Sequence, residues 1–249
     1  MEGFTYFIIF LLGLAIGSFL NVVIYRLPRG KSLIFPPSSC PHCGNPIKPY
    51  HNIPILGWLI LKGKCASCGK PISIRYPIVE LLTGIGFIGI YYHLGEIGWQ
   101  LGVMLALFST LIALAGIDID FKEVPDSLNL LGLTLAFFSS PLVLENFTNA
   151  LLLIGGAGLI RYYSALLFRR EALGEGDLIM AGTMGGILGI KLAIVAFVVA
   201  NFLAMPIALY FRLKKSEESV PFIPFMVAAT FLVWFFQPQF EMGWRWLYG

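Results

Sequence analysis

Apolar residues in this chain are grouped into long runs separated by short polar segments. A run of about twenty apolar residues is long enough to cross the hydrocarbon core of a membrane as a helix. Strict alternation of apolar and polar residues, which a membrane barrel would need, is absent from the sequence. The pattern therefore predicts an all-α polytopic membrane protein with about eight transmembrane helices, at 4–24, 77–94, 98–117, 127–144, 147–168, 178–190, 192–211 and 220–237.

The pattern leaves the boundary around Lys191 open, because the run 178–190 is short for a full crossing and the boundary could lie several residues further on. Composition supports the membrane assignment. Hydrophobic residues make up 57% of the 249 residues and charged residues only 12%, against about 25% charged in soluble domains. The first run lacks a basic flank and is long enough to span, so we expect a membrane helix there and no cleavable signal peptide.

Basic residues are distributed unevenly among the loops. With eight spans, 14 of the 17 Lys and Arg residues fall on one side of the membrane, eight of them between positions 26 and 75. The positive-inside rule places that side in the cytoplasm and both termini outside. Since these residues are spread over loops and form no basic helix, we expect no nucleic-acid partner.

All four cysteines lie in the first loop, as "CPHC" (Cys40, Cys43) and "CASC" (Cys65, Cys68). Two C-x2-C pairs of this kind predict a closed, structural zinc site that staples the cytoplasmic loop. The alternatives are two disulfides, which a cytoplasmic location disfavours, or four idle thiols. We interpret His42 and His51 as ordinary loop residues, since four thiolates complete the metal's shell.

Two acidic residues stand next to apolar runs. Asp118 directly follows one run, and Asp177 begins another behind Gly174 and Gly176, glycines that let the backbone bend and approach closely. Both lie at predicted cytoplasmic helix ends, where two carboxyl groups could face each other, share a proton and act as acid and base on a water. A charged residue beside lipid is costly, by roughly 2.5–3.5 kcal/mol on insertion scales, and a functional role would explain its presence.

The neighbouring acids have simpler interpretations. Asp126 follows the helix-opening Pro125 and is typical of a first helical turn, and Asp120 and Glu123 are typical solvated loop residues. Asp118 and Asp177 themselves could be two independent helix caps. A proton-coupled transporter is the other alternative, although it would normally carry its acid near the membrane midplane and show repeated halves. The chain has no GxSxG, HExxH or Walker motif.

Five blocks of the sequence together resemble the bacterial type IV prepilin peptidases, which are membrane aspartic proteases of the GxGD type. The blocks are "GSFLNVVIYRLP" (17–28), "SSCPHCG" with "CASCGKPIS", "RYPIVELLTG" (75–84), "DIDFKEVPDSLNLLG" (118–132) and "GEGDLIMAGTMGGILG" (174–189). The resemblance covers most of the chain and is specific because the blocks occur in the family's order. By position it assigns the catalytic pair to Asp118 and Asp177.

The resemblance also implies a bifunctional enzyme of the bacterial cytoplasmic (inner) membrane whose active site faces the cytoplasm. Such enzymes cut a short basic leader after a glycine from prepilins or pseudopilins, whose apolar N-terminal helix lies in the bilayer. They then N-methylate the new first residue, usually phenylalanine, with S-adenosylmethionine. The alternative within the family is a peptidase without methyltransferase activity. We divide the chain into a first helix (1–25), a four-cysteine zinc domain (26–75) within a methylation-associated region (10–93), a peptidase domain (98–213) and a C-terminal helix and tail (214–249).

Candidates for the methyltransferase site are polar residues near the first loop, namely Asn21, Tyr25, Arg26 and Glu80. Buried polar groups in a membrane segment are candidates for function. The alternative is structural: Glu80 could pair with Arg26 or Arg75 and fix the loop. We interpret Arg161 as a residue that snorkels to the lipid surface.

Overall fold

The computed structural model describes residues 2–169, 173–214 and 220–248, and the chain divides into two compact units, residues 1–97 and 98–249. Within the described ranges the secondary structure is helical, apart from two isolated β-bridges. Five helices there are long and apolar enough to cross a membrane. The predicted all-α membrane class is therefore confirmed.

The first unit consists of two long helices and the loop between them. Helix α1 (Glu2–Arg26) and helix α3 (Arg75–Leu94) cross closely, because a Cβ added at Gly13 or Gly17 would lie 2.7 Å from the Cα atom of Gly84 or Glu80. Small residues at such a crossing let two membrane helices approach. The loop contains short 3-10 turns at Leu27–Arg29 and Pro49–Asn52 and the short helix α2 (Leu56–Ile60).

The second unit is built around α4 (Trp99–Phe121). One face of this helix is fully buried through Leu107, Leu111, Leu114 and Ile117, as the 3.6-residue period requires. It packs against α5 (Asp126–Phe137) and α8 (Ile223–Phe235), where the rings of Phe108 and Phe231 meet edge to face with centroids 4.7 Å apart.

The remaining helices of the second unit are α6 (Val143–Phe168), α7 (Glu175–Leu213) and α9 (Gln237–Tyr248). Glycines let α6 and α7 approach, since a Cβ at Gly185 would lie 2.7 Å from the carbonyl oxygen of Asn149. The two predicted runs on either side of Lys191 form one helix with a break at Gly189, two residues earlier than the predicted boundary. Its backbone (φ 70°, ψ 168°) is open essentially to glycine alone.

Each of the eight apolar runs overlaps a helix, but two of these helices are shorter than the runs that predict them. Helix α5 ends at Phe137 and α8 spans Ile223–Phe235, which gives them lengths of about 18 and 20 Å. The hydrocarbon core is roughly 30 Å thick. Helix α8 buries eight of its residues within the second unit, whereas α5 buries only Asn129, Gly132 and Ala136.

Candidate functional site

The carboxyl group of Asp118 is buried in the last turn of α4, against the beginning of α8. Its Oδ2 atom accepts the backbone N–H of Ile223 at 3.0 Å, and the backbone N–H of Phe222 also donates to it. The first N–H groups of a helix have no partner within that helix and favour a negative charge. The start of α8 is therefore part of this site, a contribution that sequence patterns do not reveal because it comes from 105 residues further along the chain.

Asp177 lies in the first turn of α7, in the third helical position. Its Oδ2 atom accepts the backbone N–H of Gly174 at 2.9 Å, and a Cβ at Gly174 would come within 3.3 Å of the same oxygen. Asp177 thus caps its own helix, as the structural interpretation of the sequence expected. One of its oxygens makes this capping bond.

Asp118 and Asp177 are 59 positions apart in the chain. The two carboxyl groups are near enough to interact electrostatically. Asp118 is at the end of one long helix and Asp177 at the start of another, so both lie near helix ends and away from helix centres. Two carboxyl groups in one poorly solvated site do not both ionise readily, which favours a shared proton.

A third polar side chain, Asn129 of α5, contacts this site and was not singled out in the sequence. Asn129 is fully buried, and its Nδ2 atom donates to the carbonyl oxygen of Gly176 at 2.9 Å. On the other side of Gly176, a Cβ would lie 2.8 Å from the side chain of Val124. Val124 and Asn129 thus hold the backbone next to Asp177. The available signal was a lone amide within the apolar run "SLNLLGL".

The other acids of this region lie outside the buried pair. Asp120, Glu123 and Asp126 are exposed, in agreement with their interpretation as loop and helix-start residues. Arg161 forms an ion pair with the exposed Glu175 at 3.4 Å. Exposed pairs of this kind contribute little stability. Arg161 therefore has a protein partner beside the glycine motif in addition to any contact with lipid.

The four cysteines form a second site, in the first unit. Their sulfur atoms all lie within 4.8 Å of one another, and Cys40 and Cys68 are 3.9 Å apart. All four are free thiols, so the disulfide alternative is not what the structure shows. Four sulfurs bound tetrahedrally at about 2.3 Å from zinc would be about 3.8 Å apart. The donor set and its spacing fit a zinc ion.

The two cysteine pairs have the same local backbone. In each pair the N–H of the glycine after the second cysteine, Gly44 or Gly69, donates to the carbonyl of the first cysteine, and a β-bridge closes the turn. Both glycines adopt a positive φ (73° and 71°), which favours glycine. Backbone N–H groups of Cys68 and then Ser67 lower the pKa of Cys65 to about 6. The thiolate, which is the form that binds metals, is therefore favoured there.

Two of the methyltransferase candidates lie together where α1 crosses α3. The Nδ2 atom of Asn21 donates to the carbonyl oxygens of Tyr76 (3.1 Å) and Gly17 (3.3 Å), whereas its buried Oδ1 atom has no hydrogen-bond partner among the described residues. Glu80 is buried one turn further along α3. Its Oε2 atom accepts the backbone N–H of Ile55 at 2.7 Å, and the hydroxyl of Ser18 also donates to the carboxylate.

The other two candidates, Tyr25 and Arg26, are at the end of α1. Arg26 donates to the carbonyl oxygens of Ser32 (3.0 Å) and Pro36 (2.8 Å), and the guanidinium of Arg29 stacks 4.0 Å from the ring centre of Tyr25. Glu80 and Arg26 therefore do not pair with each other. Each side chain is instead hydrogen-bonded to backbone groups of the loop. The reason is that the loop folds back onto both helices and offers backbone partners that a sequence does not reveal.

Comparison with known proteins gives a consistent family assignment. The chain matches the models of the bacterial peptidase A24 N-terminal domain over residues 11–94 and of the type IV leader peptidase family over residues 105–209. It is similar to proteins named prepilin leader peptidase/N-methyltransferase from Stutzerimonas stutzeri (34% identical, 90% of this chain and 88% of the relative) and Pseudomonas aeruginosa (34%, 89% and 87%).

A protein of the same name from Myxococcus xanthus is 43% identical over 72% of this chain, and the match spans only 55% of that relative. No solved structure matches the chain.

Proposed function

Because this chain belongs to the type IV leader peptidase family, we propose that it removes the leader from prepilins or pseudopilins and then methylates the new N-terminus. The leader is short and basic, the cut follows a glycine, and the methylated residue is usually phenylalanine. The observation that carries the peptidase half of the proposal is that the carboxyl groups of Asp118 and Asp177, each at a helix end, are near enough to interact electrostatically.

In the proposed mechanism the two carboxyl groups share one proton. The ionised carboxylate removes a proton from a water, whose oxygen attacks the carbonyl carbon of the scissile peptide bond. The protonated partner donates its proton to the carbonyl oxygen, so that a neutral diol forms. Collapse of the diol returns a proton to the carboxyl pair, while the leaving nitrogen receives one and the C–N bond breaks. No covalent enzyme intermediate is needed.

The backbone around the pair supports this chemistry. The N–H groups at the start of α8 favour a negative charge on Asp118, and Val124 and Asn129 hold the Gly176 peptide unit next to Asp177. Substrate geometry matters to about 1 Å in such sites. A fixed backbone on both sides of the pair is therefore what an aspartic peptidase requires.

We place the reaction at the cytoplasmic face of the inner membrane, with both termini outside, because a sequence topology of eight spans puts 14 of the 17 Lys and Arg residues on the side of the loops that follow Asp118 and precede Asp177. The substrate's apolar N-terminal helix would lie among the enzyme's helices, with its glycine beside the carboxyl pair. Residues 98–213 then form the peptidase domain, and residues 10–93 the methylation-associated region.

For methylation, S-adenosylmethionine supplies an electrophilic methyl group on a positively charged sulfur. The buried Oδ1 atom of Asn21, which has no partner among the described residues, and the carboxylate of Glu80 are suited to hold a cationic donor. Tyr25 and Arg26 lie one turn further toward the loop. Zinc held by Cys40, Cys43, Cys65 and Cys68 would be structural, because four thiolates leave it no open position.

The proposal is tested by incubating purified enzyme in proteoliposomes with a prepilin and S-adenosylmethionine. Mass spectrometry of the product's N-terminus reads both activities in one spectrum. We expect cleavage to lower the mass of the prepilin by the mass of its leader and to create a new N-terminus after the glycine. Methylation should then raise the mass of the product by that of one methyl group. A terminus that stays intact would overturn the peptidase assignment. A cleaved terminus without the methyl group would show a peptidase that lacks methyltransferase activity.

A further inference from the structure

The cysteine-rich loop (residues 27–74) carries several large apolar side chains that the protein leaves exposed. Phe35 is 73% exposed and Ile60 67%, and Leu56 and Leu59 are each more than half exposed. All four lie outside the helices that are long enough to span a membrane. Leu56, Leu59 and Ile60 stand at i, i+3 and i+4 on one face of α2, and an exposed apolar face of this kind marks a surface that binds a protein or a membrane.

Hydrogen bonds fix two of these apolar segments to the ends of the membrane helices. At the end of α1, Arg26 binds the carbonyls of Ser32 and Pro36, on either side of Phe35. At the start of α3, buried Glu80 binds the N–H of Ile55, directly before α2. Glu80 is the sixth residue of α3, about 8 Å along the helix axis from its beginning. Helix α2 is therefore held at a depth slightly inside the end of a membrane helix.

The backbone before α2 is strained in a way that serves this position. Ile55 adopts φ 60° and ψ −53°, a conformation that β-branched residues rarely adopt. The bond to Glu80 holds it there. Trp58 anchors the other side of α2, since its indole N–H donates to the carbonyl oxygen of Ile72 at 3.1 Å. With Trp58 turned toward the loop, Leu56, Leu59 and Ile60 remain on the exposed surface.

The charge of the loop identifies the kind of surface it fits. Residues 27–74 contain six Lys and Arg residues and no Asp or Glu, and Arg26 and Arg75 flank them at the ends of α1 and α3. Lys31 is the fifth residue after α1, and Lys62 is the second residue after α2. Apolar side chains bordered by lysines, on a loop tied at both ends to membrane helices, complement the headgroup region of an anionic bilayer.

We propose that the cysteine-rich loop rests on the surface of an anionic phospholipid leaflet, with Phe35 and the exposed face of α2 inserted at the boundary between headgroups and acyl chains. Lys31 and Lys62 contact lipid phosphates. The four-cysteine site is then held against the membrane by both ends of the loop and by its apolar edge. This role is independent of the proposed enzymatic activities.

The proposal is tested in the full-length enzyme by incorporating the photo-cross-linker p-benzoylphenylalanine at Phe35 and, separately, at Leu59. The enzyme is reconstituted in vesicles of phosphatidylcholine with phosphatidylglycerol, irradiated and analysed by mass spectrometry. We expect phospholipid adducts at both positions. The matched control is the same cross-linker at Ser67, an exposed polar position of the second cysteine pair, where we expect a several-fold lower lipid yield. The cross-linker at position 35 replaces one aromatic side chain by another, so we expect this variant to fold even if the change at Leu59 is not tolerated.

Adducts to residues 98–249, adducts to a co-reconstituted prepilin, or a lipid yield no higher than at Ser67 would each overturn the proposal. A second comparison uses vesicles of phosphatidylcholine alone. Lys62→Asn keeps a residue that tolerates the positive φ of this position (50°) and removes the charge. We expect a higher adduct yield in phosphatidylglycerol vesicles than in neutral ones for the Leu59 cross-linker. Lys62→Asn should reduce the ratio of the adduct yield in phosphatidylglycerol vesicles to the yield in neutral vesicles. An unchanged ratio would show that Lys62 does not contact lipid phosphates.

Discussion

The side-chain amide of Asn129 is bonded to the carbonyl oxygen of Gly176, the residue immediately before Asp177. A peptide unit is planar, so a bond to this oxygen also fixes the position of the Asp177 Cα atom. The other end of the same side chain, the buried Oδ1 atom, has no hydrogen-bond partner among the described residues. Burying an amide oxygen in this way destabilises a protein by about 1–3 kcal/mol. Asn129 is thus better explained by the geometry of the site than by stability.

Replacing Asn129 by leucine separates these two roles. Leucine fills a similar volume and removes both the donor and the unpaired oxygen, so we expect Tm to be unchanged or higher. Without the bond to Gly176, Asp177 loses its fixed position, and kcat for leader cleavage should fall by roughly tenfold or more with little change in KM. Thermal unfolding and cleavage kinetics of the same preparation measure both effects.

The matched control is Asn146→Leu. Asn146 of α6 is also buried, and its Nδ2 atom donates to the carbonyl oxygen of Phe137, the last residue of α5, at 3.0 Å. It also exchanges hydrogen bonds with Ser140, so this variant should lose stability and retain kcat. If Asn129→Leu lowers Tm and kcat together to the same extent as Asn146→Leu, Asn129 is only a structural residue.

Gly176 should not tolerate a side chain. In Gly176→Ala the new Cβ atom would lie 2.8 Å from the side chain of Val124, so the segment before Asp177 has to move. Overpacking of this kind costs about 1–3 kcal/mol, and we expect strongly reduced cleavage. Gly158→Ala, also in a helix but with open space around the added atom, serves as the control and should keep full activity. Equal activities of the two alanine variants would contradict the tight contact.

The acidic residues near the site should differ sharply in their effects. Asp118→Asn and Asp177→Asn should each reduce cleavage by about a thousandfold or more, because an amide cannot take or give the proton. Asp120→Asn and Asp126→Asn remove exposed carboxylates and should retain activity. Prepilin cleavage followed on a gel, with folding checked by circular dichroism, is sufficient. An active Asp118→Asn enzyme together with an inactive Asp120→Asn enzyme would show that the wrong aspartate of the "DID" segment was chosen.

Removing the metal should act on the first unit. We expect about one zinc per chain by elemental analysis, and Cys40→Ser, which changes the one buried thiol, should lose it. Since the loop has little core of its own, methylation should suffer more directly than proteolysis. His42→Ala should keep its zinc, because four thiolates already complete the shell. Zinc retained by Cys40→Ser would argue against a four-thiolate site.

Glu80→Gln tests the methyl-donor role without disturbing the loop. A glutamine can still accept the N–H of Ile55 through its amide oxygen, while the negative charge is lost. We therefore expect a thermally stable enzyme that cleaves prepilin and methylates it poorly at limiting S-adenosylmethionine.

Glu80→Ala provides the comparison for that test. It also removes the bond to Ile55 and should lower Tm. Normal methylation by Glu80→Gln, combined with impaired methylation and stability in Glu80→Ala, would make Glu80 a residue that only supports the loop.

The sequence was sufficient for those features that depend on local pattern. Apolar runs located the helices because a helix in lipid must satisfy its own backbone, and the cysteine spacing located the thiol cluster because each pair forms its turn from consecutive residues. The predicted boundary near Lys191 lies two residues after the break at Gly189. A glycine within a helical pattern does not by itself predict a positive φ. The hydrogen bond from the Ile223 N–H to Asp118 joins residues 105 positions apart, and the hydrogen bond from Asn129 to Gly176 joins residues 47 positions apart. Only the packed fold brings those groups into contact.

The break at Gly189 divides α7 into a first segment of about 21 Å, which carries Asp177, and a longer second segment of about 36 Å. Ser139 donates to the carbonyl of Gly186 at 3.3 Å, just before the break, and so ties the first segment to the end of α5. The second segment is long enough to need tilting in an ordinary bilayer. A joint between the two lets the second segment change its tilt without the whole of α7 turning as one rigid rod. A change in the tilt of the second segment is therefore not passed on directly to the helical turn that holds Asp177.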